Sequence, residues 1–223
     1  MLFYIIIPLL LSFYVSWRFK SKVKQYSEIG LSNHLSGAQI AEKMLKDNGI
    51  YDVQVICAEG ELSDHYNPEK RTVNLSHDVF YGRSVFAAAV AAHECGHAVQ
   101  HANAYVWLNF RSSVVPAVSI ASRYMTWILL GGVLLLNTFP ALLLVGIILF
   151  SFTTLFSLIT LPVEFDASSR ALAWLSDKGI VKQDEYPMTK DALKWAASTY
   201  VVAAIASIAT LLYYVQIYMG RRD

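Results

Sequence analysis

The stretch "AAHECGHAVQH" (Ala91–His101) places His93 and His97 four residues apart, with Glu94 directly after the first histidine and His101 four residues past the second. On a helix, residues four apart are neighbours on one face, about 6 Å apart along the axis. His93 and His97 then bring one ring nitrogen each to a single zinc ion. Glu94, one residue round, is placed to take the proton of an attacking water. That is the chemistry of an H-E-x-x-H helix in a zinc hydrolase. The competing reading is a helix that merely carries histidines. With six histidines in 223 residues, the pattern arises by chance on the order of once in a hundred such chains. The run "AAAVAA" (Ala87–Ala92) also marks the helix as buried. Burying two imidazoles and a carboxylate without partners costs on the order of several kcal/mol.

A catalytic zinc takes three protein ligands and keeps a fourth position open. His101 is one candidate for the third, but on a straight helix it lies ~6 Å beyond His97, with the ion on the other side. Metalloproteases that use a third histidine turn the chain sharply at a glycine after the second; the corresponding residues here are "AVQ" (Ala98–Gln100). His101 reads better as a substrate contact, a support for a ligand, or a cation at a helix end. Glu164 is the stronger candidate. It lies in "LPVEFDASSRAL", the first charged residue after a long apolar run, and Pro162 suits the start of a new helix segment just before it. Its competing reading is a glutamate that only marks a membrane boundary. Asp166 is placed to accept the free N–H of a ligating histidine, the usual support for such a ligand.

The elements that must position these residues are membrane elements. Hydrophobic residues make up 55% of the chain and charged residues 16%, against roughly a quarter charged in globular chains. The apolar residues are concentrated in runs. Leu2 to Trp17 is apolar apart from two serines and is followed by Arg18, Lys20, Lys22 and Lys24. A signal peptide has its charges before the apolar stretch and a small-residue cleavage site after it; this is a retained anchor. From Thr126 to Val163 no charge interrupts 38 positions. One helix of that length spans ~57 Å, nearly twice a bilayer core of roughly 30 Å, so the run folds back on itself. The break falls at Asn137-Thr138-Phe139-Pro140. The first arm starts near Val114 to Val118, leaving Arg123 either to snorkel to the surface or to face a polar cavity. The run Ala196 to Met219 is long enough to cross; diluted by Ser198, Thr199, Ser207 and Thr210, it also reads as a buried amphipathic helix.

Four crossings put the histidine helix and residues 163–195 on one side. Residues 18–111 carry ten Lys or Arg and 163–195 carry five, whereas the far side has Arg221 and Arg222. The positive-inside rule places the first two segments in the cytoplasm of the cell. A net charge of +1, without a basic patch interleaved with aromatics, gives no sign of nucleic-acid binding. Cys57 and Cys95 form no disulfide framework and suit a reducing compartment. No feature fixes an oligomeric state.

"VAAHECGHAVQH" and "TLPVEFDASSRAL", with "LSDHYNPEKRTVNLS" and "YGRSV" before the histidine helix, resemble the YugP-type zinc metallopeptidases, integral-membrane proteins of bacteria. The likeness covers nearly the whole chain. It implies His93, His97 and Glu164 as zinc ligands and Glu94 as the catalytic glutamate, and it supplies no substrate. The better-known membrane zincins carry an aspartate four residues after the ligating glutamate; here Asp166 is two after and Ser168 four after.

Residues 30–80 fit a small zincin-like domain. Ser36 caps a helix from Gly37 to Asn48, which Gly49 ends. Tyr51–Cys57 alternates as a strand and Arg71–Leu75 reads as a second. By analogy with zincins, Arg71–Leu75 is the edge strand that pairs with an extended substrate. His65, Tyr66 and His77 are candidates to meet the substrate or its oxyanion; each also reads as an ordinary surface residue. The expected chain is mostly α: an anchor (1–17), a cytoplasmic α+β zincin-like domain (18–111), a transmembrane hairpin (112–163), a cytoplasmic segment with the third ligand (164–195) and a last transmembrane helix (196–219). The expected function is a membrane-embedded zinc endopeptidase acting near the cytoplasmic face on peptide or membrane-protein substrates. The rivals are a zinc-holding membrane scaffold that cleaves nothing and a transporter built around Arg123. Glu94 argues against the scaffold, and the uncharged run 126–163 offers Arg123 no acidic partner.

Overall fold

A computed structural model describes residues 3–220; Arg221 and Arg222 lie outside the described residues. The elements run α1 (Phe3–Ser27), α2 (Gly37–Asp47), β1 (Gln54–Ala58), β2 (His65–Asn67), β3 (Thr72–Ser76), α3 (His77–Phe80), α4 (Val85–Ala102), α5 (Val106–Leu134), α6 (Pro140–Asp177) and α7 (Tyr186–Met219). Helices α1, α5, α6 and α7 are each long and apolar enough to cross a membrane. The chain is a mostly α membrane protein with a small α+β part. It divides into two compact units. One comprises the residues up to Ser16, Asn109–Leu161 and those from Thr199 on; the other comprises Trp17–Leu108 and Pro162–Ser198.

The first unit is built mainly from the apolar stretches of α1, α5, α6 and α7. Its hairpin turns between Leu134 and Pro140, where Asn137 to Pro140 predicts the break. A Cβ on Gly132 would lie 2.6 Å from the Cα of Leu143, so only glycine lets the two arms approach this closely. Leu129, Leu143 and Ile147 are buried in the seam. Thr154 and Ser207 hydroxyls meet at 2.8 Å, and the Gln216 amide donates to the Tyr4 hydroxyl at 2.8 Å. Phe13, Ile120, Trp127, Phe152 and Leu212 face outward, an exposure that hydrocarbon tolerates and water penalises.

Two expectations about these helices are corrected. Helix α5 begins at Val106, about two to three turns before the expected start near Val114 to Val118, because hydropathy locates the apolar stretch and not the turns "VWLNF" that open the helix. Helix α6 does not restart at Pro162 but continues through it. Proline removes only its own N–H, leaving the carbonyl of Leu158 without its helix partner. Breaking the helix among apolar neighbours would unpair several more groups.

In the second unit the strands lie in the order β1-β3-β2, with β1 parallel and β2 antiparallel to β3. Strand β3 is therefore central and buried along its length. The expected edge role of Arg71–Leu75 is overturned: both sides of β3 are already paired, and the strand with an open side next to the antiparallel pairing is β2. At three residues β2 is too short to show an alternating pattern. Ser36 forms a capping box with Gln39 on α2, and Ser84 accepts from the Ala87 N–H at 3.1 Å to start α4. The small face of α4 (Ala88, Ala91, Ala92 and Cys95) packs with Ile40, Ala41 and Met44 of α2, Val73 and Leu75 of β3, and Leu175 of α6 in one core.

Candidate metal centre

His93, Glu94 and His97 sit on α4, where the helical repeat brings the two imidazoles edge to face with ring centroids 4.9 Å apart. Glu164 arrives from α6, whose backbone α4 crosses at Gly96. A Cβ on Gly96 would lie 2.6 Å from the Ala167 carbonyl oxygen. The glycine between the histidines, tolerated but unfavourable inside a helix, is what admits the second helix.

At this crossing His93 Nε2 lies 3.3 Å from Glu164 Oε2, and His97 Nε2 lies 3.7 Å from the same oxygen. One ligand atom from each of the three residues falls within 4.8 Å of the others. Tetrahedral zinc with bonds of about 2.1 Å holds its ligand atoms ~3.4 Å apart. Glu164 and His97 are buried and His93 half-buried; Glu94 is 8% exposed.

Each histidine is tied through its other nitrogen. His97 Nδ1 lies 3.0 Å from Gln100 Oε1, and His93 Nδ1 lies 3.1 Å from Ser168 Oγ. Both Nε2 atoms therefore turn towards the carboxylate. Three lone-pair-bearing atoms facing one another repel unless a cation, or a proton in its place, lies between them. The donor set, two imidazoles and one carboxylate, fits zinc. The His97 pKa reflects the same arrangement. Burial disfavours its charged form, but the contact with Glu164 and the charge of Glu94 outweigh that and raise it above the ordinary 6.5. Burial, and then the charge of Glu94, push the Cys95 thiol well up. Cys95 thus stays a neutral core thiol, pointing at the Ala41 carbonyl at 3.5 Å.

The remaining candidates fall into place around this cluster or away from it. Asp166 does not meet a histidine as expected. It accepts from Gln100 Nε2 at 2.8 Å and from Arg170 Nε at 2.6 Å, so its link to His97 runs through Gln100. Two residues after Glu164 is half a helical turn, which rotates Asp166 away from the histidines; Ser168, a full turn on, reaches His93. His101 lies outside the three-residue cluster and pairs its Nδ1 with the Tyr66 hydroxyl of β2 at 2.8 Å. Next to Tyr66 on the strand, His65 is exposed with its Nδ1 against the Ser63 carbonyl. His77 is exposed beside Asp78 and the Tyr81 ring. Gln100 was not among the residues picked out by spacing, although a glutamine three residues after His97 on an apolar face was its visible signal.

Residues 1–219 match a family described as "Putative neutral zinc metallopeptidase". The chain is 44% identical over 224 residues to the "Putative membrane protease YugP" of Bacillus subtilis (strain 168), covering 100% of this chain and 98% of that one. No solved structure matches.

Proposed function

This chain belongs to the neutral zinc metallopeptidase family, and from that we propose that it is a membrane-embedded zinc endopeptidase using His93, His97 and Glu164 as ligands and Glu94 as proton acceptor. The observation that carries this reading is the convergence of two Nε2 atoms from α4 and one carboxylate from α6 beside Glu94. Bound there, zinc supplies a Lewis acid that polarises the scissile carbonyl and makes water a nucleophile near neutral pH. Glu94 takes the proton of the attacking water and passes it to the leaving amine. The open side of β2 receives the extended substrate backbone, with Tyr66 and His101, joined by their hydrogen bond, as polar contacts to it.

The site faces the cytoplasm in this reading, supported by the ten and five basic residues of segments 18–111 and 163–195. Glu164 follows directly on the apolar run, which points to membrane proteins or their flexible ends as substrates. Cys57 is exposed and Cys95 buried, so an impermeant thiol reagent on intact cells should leave the protein unlabelled; labelling of Cys57 would reverse the topology. The activity is tested by Glu94→Gln. The variant should retain one zinc per chain by mass spectrometry and lose peptide hydrolysis, and hydrolysis surviving in it would remove Glu94 from its role.

A further inference from the structure

The side chain that joins the two halves of the metal centre is Gln100. It is fully buried on α4, and each polar atom of its amide has a partner. Nε2 donates to the Val163 carbonyl at 2.8 Å and to Asp166 Oδ2 at 2.8 Å; Oε1 lies 3.0 Å from His97 Nδ1. The two groups on α6 lie one residue before and two residues after Glu164. An amide nitrogen carries two donors and no acceptor, and its oxygen only accepts. The two acceptors on α6 therefore decide which way the amide points. Flipped, it would set its oxygen against a carbonyl and a carboxylate, both at 2.8 Å. Arg170, donating to Asp166 Oδ2 at 2.6 Å, keeps that carboxylate an acceptor.

The consequence passes to His97. With Oε1 held towards it, Nδ1 must carry the ring proton, which leaves Nε2 with its lone pair on the Glu164 side. We infer that Gln100 is a positioning residue that uses the two acceptors flanking Glu164 to fix His97 in its metal-binding tautomer, so that one amide sets both the tautomer of one ligand and the seat of another. This rests on the reading of His93, His97 and Glu164 as zinc ligands. Gln100 itself touches neither substrate nor ion.

The test is zinc affinity of the full-length protein in detergent, measured by competition with a chelator, together with the absorption spectrum of its cobalt-substituted form. Gln100→Met matches the volume and removes both ends of the amide; Gln100→Glu keeps an acceptor opposite His97 Nδ1. Partners of this kind are worth 10–100-fold in metal affinity. Gln100→Met should therefore weaken zinc binding by roughly 10–100-fold and alter the cobalt bands, and Gln100→Glu, which sets an oxygen against both acceptors on α6, should weaken it as well. A role in packing alone leaves Gln100→Met, which fills the site, at wild-type affinity with unaltered cobalt bands. Gln100→Met binding zinc as wild type, or Gln100→Glu doing so, overturns the inference. If Gln100→Met does not purify folded, Gln100→Asn, too short to span both helices, replaces it with the same expectation. Wild-type protein that binds no zinc would end the metal-centre reading itself, whereas equal binding by wild type and variant would end only the role of Gln100.

Discussion

Gly96 and Ala167 are in backbone contact: a Cβ on Gly96 would meet the Ala167 carbonyl oxygen at 2.6 Å and its carbon at 3.1 Å. The neighbour is main chain inside a helix, so no rotamer change relieves the clash, and α4 and α6 must move apart. That crossing is what holds Glu164 3.3 Å from His93.

Gly96→Ala is accordingly expected to damage the site although it improves the helix. Alanine favours a helix interior by about 1 kcal/mol over glycine, and overpacking a tight contact costs typically about 1–3 kcal/mol. The clash is expected to win. The melting temperature should fall and zinc content should drop with it. A variant at least as stable as wild type, with full zinc content, would show that the two helices are free to separate.

Glu164→Gln separates the ligand from its surroundings. The amide is isosteric, so the α4–α6 packing survives, but a neutral amide is a poor zinc ligand beside two imidazoles. Loss of a partner to a ligand costs 10–100-fold in affinity, and loss of a ligand itself should exceed roughly 100-fold. Metal analysis should therefore find one zinc per chain in the purified wild type and little in the variant. Full occupancy would move the third ligand elsewhere, with His101, one turn past His97, the first to examine.

How far the site was legible follows from these distances. The α4 half of the candidate site, His93 and His97, was readable because a helix fixes the geometry of residues four apart without reference to the rest of the fold. Ser36 as a cap, and the turn at Asn137–Pro140, are equally local signals. Glu164 was readable only by position, as the first charge after an apolar run; its distance to His93 depends on the crossing at Gly96. The same crossing decides that Gln100 reaches Val163 and that Ser168, not Asp166, reaches a histidine. Spacing along α6 states which residues share a face but not which face meets α4. The order β1-β3-β2 was hidden because β2 has three residues, and without it the buried strand Thr72–Ser76 passes for an edge. Pro162 misled for a different reason: its missing N–H is a strong stop signal in water and a weak one in apolar surroundings.

The pH dependence of zinc binding follows from His97. In the metal-free protein burial lowers its pKa, but the contact with Glu164, the charge of Glu94 and that of Glu164 together raise it above 6.5. The folded state thus holds this proton more tightly than the unfolded one. Its contribution to stability is fully present below 6.5 and is lost as the pH rises through the raised value. Zinc needs the same nitrogen unprotonated, so loading must expel the proton. Below the raised value, apparent zinc affinity should fall by roughly tenfold per pH unit for this one group. The fall should begin above 6.5, where an ordinary histidine is already neutral. The metal-free protein gains stability as the pH falls through the same window, while the zinc-loaded protein loses occupancy. The gap in melting temperature between zinc-loaded and chelator-treated protein should therefore narrow from both directions as the pH drops from about 9 to about 6. A gap that stays constant over that range would mean that His97 does not change its protonation on loading.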